Sequence, residues 1–171
     1  MKKFIYLFFI LFSLSGFSQL GIGVGFASSK AKISGGNTSI SSDAVSGFGL
    51  GLIAGIPISE RVKLETGLNF AFAKVEGESS NSWGIPVTAK IYTGDSGFHL
   101  RAGLGYSASM EDIDTDVMKK GALGAGFGLG HDINDNFSVV ASYSTQLSDS
   151  SKIDGIKLKG SGFGVSLQYF F

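Results

Sequence analysis

From residue 19 to its end the chain is written at period two. Leu20, Ile22, Val24 and Phe26 alternate with Gly21, Gly23, Gly25 and Ala27, and Phe48, Leu50, Leu52, Ala54 and Ile56 alternate with Gly47, Gly49, Gly51, Ile53 and Gly55. Successive side chains of a strand point to opposite faces, so this spacing predicts strands with one apolar face and one small or polar face. Val62, Leu64, Thr66, Leu68, Phe70 and Phe72 repeat the pattern against Lys63, Glu65, Gly67, Asn69, Ala71 and Ala73. A fourth strand sets Trp83, Ile85, Val87, Ala89 and Ile91 against Thr88, Lys90 and Tyr92, and a fifth sets Phe98, Leu100, Ala102, Leu104 and Tyr106 against His99, Arg101, Gly103, Gly105 and Ser107. Leu123 to Leu129 alternates with glycines up to Gly130, and Phe137, Val139, Ala141 and Tyr143 mark the seventh strand. The last runs from about Ile156, alternating Gly162, Gly164, Ser166 and Gln168 with Phe163, Val165, Leu167 and Tyr169, and reaches Phe171. The count is eight.

The connections alternate as well. Pro57 to Arg61, Thr93 to Gly97 and His131 to Asn136 are short turns after the second, fourth and sixth strands; Pro cannot donate to a ladder and Gly supplies positive φ. Ser28 to Ser46, Val75 to Ser82, Ser109 to Lys120 and Ser148 to Gly155 are longer, polar, and read as loops. An even strand count closes an up-and-down barrel with both ends on one side, and short turns opposite long loops are the asymmetry of a barrel that spans a membrane. About 9 to 11 tilted residues cross a bilayer, which each predicted strand supplies. The expected fold is therefore all-β: an eight-stranded antiparallel up-and-down transmembrane β-barrel with its apolar faces against lipid. A secreted soluble barrel binding an apolar ligand is the alternative, and it would turn the Leu, Ile and Phe faces inward.

Lys2 and Lys3 precede an apolar run from Phe4 to Leu14, and Gly16-Phe17-Ser18 offers small residues for cleavage before Gln19. That run falls well short of the roughly 20 residues of a spanning helix. It predicts a signal peptide over residues 1–18 and a barrel domain over 19–171. Among the 171 residues there is no cysteine, which removes disulfides, thiolate metal sites and a lipidated amino terminus from consideration. Losing Lys2 and Lys3 from 14 basic residues leaves 12 against 14 acidic ones, and no Lys/Arg cluster along the sequence offers a footprint for nucleic acid.

An export signal, eight alternating strands and an aromatic-ended last strand together resemble the small outer-membrane barrels typified by outer-membrane protein X and the OmpA membrane domain. The glycine-alternating strands and the stretch Ile85-Pro86-Val87-Thr88-Ala89-Lys90-Ile91-Tyr92 are similar to the PorT-like outer-membrane β-barrel family. This resemblance spans Gln19 to Phe171. It implies an outer-membrane location in a Gram-negative-type envelope, contact with membrane lipid and lipopolysaccharide, and assembly by the outer-membrane insertion machinery, which would read the terminal Phe171. No residue carries over the secretion role attached to some relatives.

Lys63, Glu65, Lys90, His99, Arg101 and Gln168 share lumen parity among inward positions that are mainly Gly, Ala and Ser. Eight strands leave an interior just wide enough for side chains, and an unpaired charge away from water is costly. A fixed polar network is the expectation, with a gated ion path as its alternative. Because most of the 26 glycines also point inward, either water fills the rest of the lumen or the barrel is flattened. Trp83 and Tyr106 near the long loops, and Phe98, Phe137, Tyr169 and Phe171 near the short turns, have the placement of two interfacial girdles.

Other chemistry finds little support. Glu111, Asp112, Asp114 and Asp116 are hard oxygen donors of the kind that suit Ca²⁺ or Mg²⁺, but no Gly or terminal Glu completes a calcium loop, and a solvated acidic loop is expected. Asp132, Asn134 and Asn136 begin like an EF-hand, yet Phe137 stands where Gly is required and Tyr143 where Glu is required. His131 with Asp132 or Asp135 and Ser138 is the one arrangement resembling a hydrolytic triad, and neighbours in a tight turn do not converge on one point. The sequence thus points to a monomeric, non-enzymatic barrel without cofactor, metal or nucleic acid, with a structural or surface-interaction role carried by its loops. A small pore or solute-transport barrel is the alternative function.

Overall fold

The computed structural model describes residues 19–75, 77–112 and 114–171, so the predicted signal peptide lies outside the described residues. Nine strands follow in order: β1 (Gln19–Gly35), β2 (Thr38–Ser41), β3 (Val45–Pro57), β4 (Val62–Val75), β5 (Glu78–Tyr92), β6 (Phe98–Ser109), β7 (Gly121–Asp132), β8 (Phe137–Gln146) and β9 (Ile156–Phe170). Each of β3 to β8 pairs antiparallel with the next, and β1 pairs with both β3 and β9, which closes the barrel. β2 is not a ninth stave. It pairs with β1 in line with β3, and between Ser29↔Val45 and Lys32↔Ser41 two residues of β1 face three of the other strand, a β-bulge at Ser42–Ala44. Ser42 N–H donates to the Ala31 carbonyl at 2.8 Å and Ser42 Oγ accepts from Ala31 N–H at 3.0 Å, which satisfies the backbone there. The barrel has the predicted eight staves, one of them broken.

Stagger follows from the register. Paired residues lead from Leu20 through Ala54, Thr66, Val87, Leu104, Ala125, Thr145 and Ser161 back into β1 at Lys30, ten residues up the same strand. With strands about 4.8 Å apart and about 3.3 Å of rise per residue, that stagger tilts the staves by about 40° around a backbone radius of about 8 Å. A closed ladder leaves no sheet edge in lipid, where an unpaired amide would be costly.

The described residues form no apolar core. Among the described residues the buried hydrophobic ones are Ala108, Val140 and Phe170, whereas Leu52 is 55 %, Leu104 61 % and Phe127 63 % exposed. A continuous apolar belt of this kind on the outside is a surface for lipid. The soluble barrel with an apolar interior is therefore overturned: its Leu, Ile and Phe faces point the wrong way.

Two of the predicted loops are corrected. Ser28 to Ser46 is mostly ladder, because β1 runs on to Gly35 and turns back as β2. Val75 to Ser82 is nearly all strand, with Val75 paired to Glu78 across a tight turn in which Gly77 takes φ 92°. Above the belt both faces of a strand are wet, so the alternation loses its apolar half while the backbone pairing continues. The other two long connections stay irregular and are stitched together: Lys119 N–H donates to the Ser150 carbonyl at 2.8 Å and Lys152 N–H to the Val117 carbonyl at 2.9 Å. Backbone N–H groups of Leu158 and Ser151 donate to Asp149 Oδ1 at 2.8 and 3.0 Å and hold that carboxyl below the usual carboxylate range.

Candidate functional site

The inward positions near the short turns carry the long polar side chains. β4 supplies Lys63 and Glu65, β5 Lys90 and Tyr92, β6 His99 and Arg101, β7 Asp132, and β9 Gln168 and Phe170. The Arg101 guanidinium donates to Glu65 Oε2 and, through Nη1, to Gln168 Oε1 at 3.0 Å. Lys90 Nζ donates to both oxygens of Asp132, at 2.7 and 3.0 Å, and stands 4.0 Å from Glu65 Oε1. The Tyr92 hydroxyl donates to Asp132 Oδ2 at 2.7 Å. Two carboxylates thus face two cations, and the cluster carries no net charge, the condition under which buried ions are tolerated. Glu65, Lys90, His99 and Gln168 are buried.

His99 packs beside this group, its ring tilted against Tyr92 at 5.6 Å between centroids, with Nδ1 3.2 Å from the Gly97 carbonyl and 3.6 Å from Asp132 Oδ1. Its Nε2 lies against Gly130, where any Cβ would overlap the ring. Phe170 covers the cluster from the end, its ring 5.6 Å from the Lys90 ammonium. Below lies a cavity of about 450 Å³ lined by Gln19, Lys63, Tyr92, Asp132 and Phe170 among others, open toward the short turns.

Of the six predicted lumen residues, the structure joins Glu65, Lys90, Arg101 and Gln168 in one cluster and sets His99 at its side. Lys63 stands apart at the mouth, donating to Gln19 Oε1 at 3.0 Å. Sequence reasoning missed Asp132 and Phe170. Alternation from Gly124 to Gly130 continues to Asp132, but the turn-rich run His131 to Asn136 masked it; Phe170 shares parity with Gln168 and was overlooked beside its aromatic neighbours.

Farther from the short turns the lumen changes. Gly103, Gly126 and Gly164 line it, and Asn69, Ser107, Ser142 and Ser144 are exposed although they point inward. The interior is a cup open toward the long loops, with the polar cluster and Phe170 as its floor.

Trp83 and Tyr106 meet edge to face at 5.9 Å near the long-loop end; at the other end Phe137 and Tyr169 are 4.9 Å apart and Tyr169 and Phe171 5.4 Å. Phe98 is exposed on the same rim, and Phe171 N–H donates to the Leu20 carbonyl at 2.8 Å across the closing seam. In the acidic loop Glu111 Oε1 accepts from Asn81 N–H at 3.2 Å and Asp114 from Asp116 N–H at 2.9 Å. Among the described residues no three His, Asp or Glu side chains converge as a metal site would require. His131 is exposed on the face opposite Asp132, so the triad considered from sequence does not assemble.

The family model of the outer membrane protein beta-barrel domain matches residues 5–171. Among solved structures the chain is similar to Ail, the attachment invasion locus protein of Yersinia pestis, with 16 % identity and a TM-score of 0.55 over 90 % of this chain and 98 % of that one. It is also similar to Neisserial surface protein A, with 15 % identity and a TM-score of 0.50 over 88 % and 97 %. A de novo designed transmembrane β-barrel gives 12 % and 0.53 over 90 % and 95 %. At such identities the likeness is one of fold. No curated protein sequence matches the chain. Closure, stagger, outward apolar belt and family match lead to one conclusion: the chain belongs to the outer membrane protein beta-barrel domain family and resides in the outer membrane.

Proposed function

We propose that this barrel is a monomeric, non-enzymatic platform whose structural or surface-interaction role is carried by the segments that rise above the membrane. The neutral floor of Glu65, Arg101, Lys90, Asp132 and Gln168, closed on its short-turn side by Phe170, is the observation that supports this most. It fills the lumen with side chains that satisfy one another and leaves the outer segments as the part free to meet a partner. Those segments include the stitched loops 110–120 and 147–155, on which Met110, Val117, Leu147 and Ile153 are exposed. Membrane lipid and lipopolysaccharide surround the belt, and the aromatic rims anchor it at headgroup level. The insertion machinery handles the chain during assembly and engages Phe171 at the seam. Phe171→Ala should then lower the yield of folded barrel more than Phe137→Ala; equal yields would reduce Phe171 to one belt residue among several.

The test of the loop role is complementation. A barrel with residues 110–119 and 148–155 replaced by short turns should insert and resist heating as the wild type does, yet fail to restore the envelope phenotype of a deletion strain. Full restoration by the trimmed barrel would sink the proposal. The small-pore reading draws on the solvent-exposed Ser142 and Ser144 of the cup, and conductance decides between the two.

A further inference from the structure

We propose that the outward wall formed by β1 and β9, just above the apolar belt, binds the phosphate groups of outer-leaflet glycolipid. The inference rests on the outer-membrane location and is independent of any partner of the loops. No basic cluster exists along the sequence; the fold makes one. Closing the barrel pairs Lys32 with Lys159, Ser34 with Lys157 and Lys30 with Ser161, which gathers Lys30, Lys32, Lys157 and Lys159 onto two adjacent strands. All four continue the outward parity of Phe26 and Phe163 and all are exposed.

Side chains directly opposite in a ladder stand about 5 Å apart, where like charges repel. Among the described residues none of the four lysines makes an ion pair. Asp149 acts on Lys157 from the neighbouring loop, but its Oδ1 is already engaged by two backbone N–H groups. Lys157 shares a surface cleft with Asp149 and Asp154 but also with Lys119 and Lys152, so the wall and its margin stay net basic and complementary to a multivalent anion from outside.

Position identifies the anion. Lys30 lies four residues beyond Phe26 and Lys159 four beyond Phe163, which is about 10 Å along the barrel axis at about 40° of tilt. Lysine stems bend their heads toward the headgroup layer that begins there. At the first outward position above the belt β1 and β9 carry Ser28 and Ser161, as other staves carry Ser46, Asn81 and Thr145, with Lys74 alone charged; at the next position Ser79, Met110 and Leu147 are uncharged and Lys119 is single, whereas β1 and β9 together bring four lysines. The patch is thus one-sided and set on the lipid-facing wall. A phosphorylated lipid headgroup beside the barrel reaches it directly, whereas a soluble polyanion must approach through the headgroups.

The experiment compares the wild type with a Lys30→Gln/Lys32→Gln/Lys157→Gln/Lys159→Gln variant in phosphatidylcholine vesicles containing no lipid A, lipid A or dephosphorylated lipid A. It reads the heat-modifiability midpoint and the lipid A retained on extraction by native mass spectrometry. Lipid A should raise the wild-type midpoint, dephosphorylated lipid A should not, and the variant should retain lipid A at least about tenfold less well, since each lysine near an anionic surface contributes about fivefold. In phosphatidylcholine alone the variant should be as stable as the wild type or more so, which separates failure of lipid binding from failure to insert. A Lys32→Gln/Lys159→Gln variant gives the same reading should the fourfold variant not fold. Equal lipid A retention by variant and wild type, indifference to the phosphates, or equally tight binding of heparin in solution would each overturn the proposal.

Discussion

Near the short turns the inward positions are Glu65, Lys90, His99, Arg101, Asp132 and Gln168; toward the long loops they are Gly103, Gly126, Ser142, Ser144 and Asn69. Both sets line the same barrel wall, on staves between β4 and β9. At the first end every charge has a partner within the barrel and the side chains are buried or, at Arg101 and Asp132, half-buried, while at the second the small side chains leave room for solvent. A floor of ions exists only as a unit, since removing one member leaves another without its counter-charge in a largely buried site. A cup lined with glycine and serine has no such interdependence. The two ends should therefore respond very differently to substitution.

The largest difference is expected at Glu65. Glu65→Leu leaves Arg101 uncompensated and should cost about 3–5 kcal/mol in denaturant unfolding of the inserted barrel, whereas Ser142→Ala in the cup should stay within about 0.5 kcal/mol. Glu65→Leu/Arg101→Met should recover much of the loss. Equal small losses at both ends would break the contrast.

The next test sets the two faces of one strand against each other. Leu104→Arg, outward at mid-stave, should cost about 2–4 kcal/mol, and its neighbour Gly105→Ser, whose new Cβ would meet only ordinary contacts at 3.4 Å, should remain within about 0.5 kcal/mol. Similar tolerance at both positions, measured by urea unfolding in vesicles, would contradict the lipid-facing assignment of the belt.

The third compares glycines of one strand. Gly130→Ala drives a methyl into the His99 ring and should cost about 1–3 kcal/mol, as overpacking does. At Gly126 the nearest atom to a new Cβ is 3.4 Å away, and Gly126→Ala should be close to neutral in thermal unfolding. His99→Ala should rescue Gly130→Ala in part; absence of rescue would mean the ring is not the obstacle.

These contrasts also mark what the sequence makes legible. Outward parity, strand count and the membrane as solvent follow from alternation, because lipid demands an apolar residue at every second position. That demand stops at the headgroups, which is why the ladders of Lys30 to Gly35 and Glu78 to Asn81 read as loops: polar on both faces, they carry no period although the backbone still pairs. Inside, parity identified Glu65, Lys90, Arg101 and Gln168 as lumen residues but not their partners, since contact across a barrel depends on stagger, and stagger depends on register. Asp132 was obscured by turn-forming neighbours. The lysine patch on β1 and β9 was invisible for the same reason, its members lying at opposite ends of the chain until closure sets Lys32 beside Lys159.

The floor as a seal is the central claim, and single-barrel conductance in planar bilayers tests it most directly. The wild type should show no steady conductance, and a Glu65→Ser/Lys90→Ser/Arg101→Ser/Phe170→Ala variant should open a small ohmic channel, because the glycine-lined cup above is already wet. Sustained channels in the wild type, or a variant that folds and stays silent, would contradict the account.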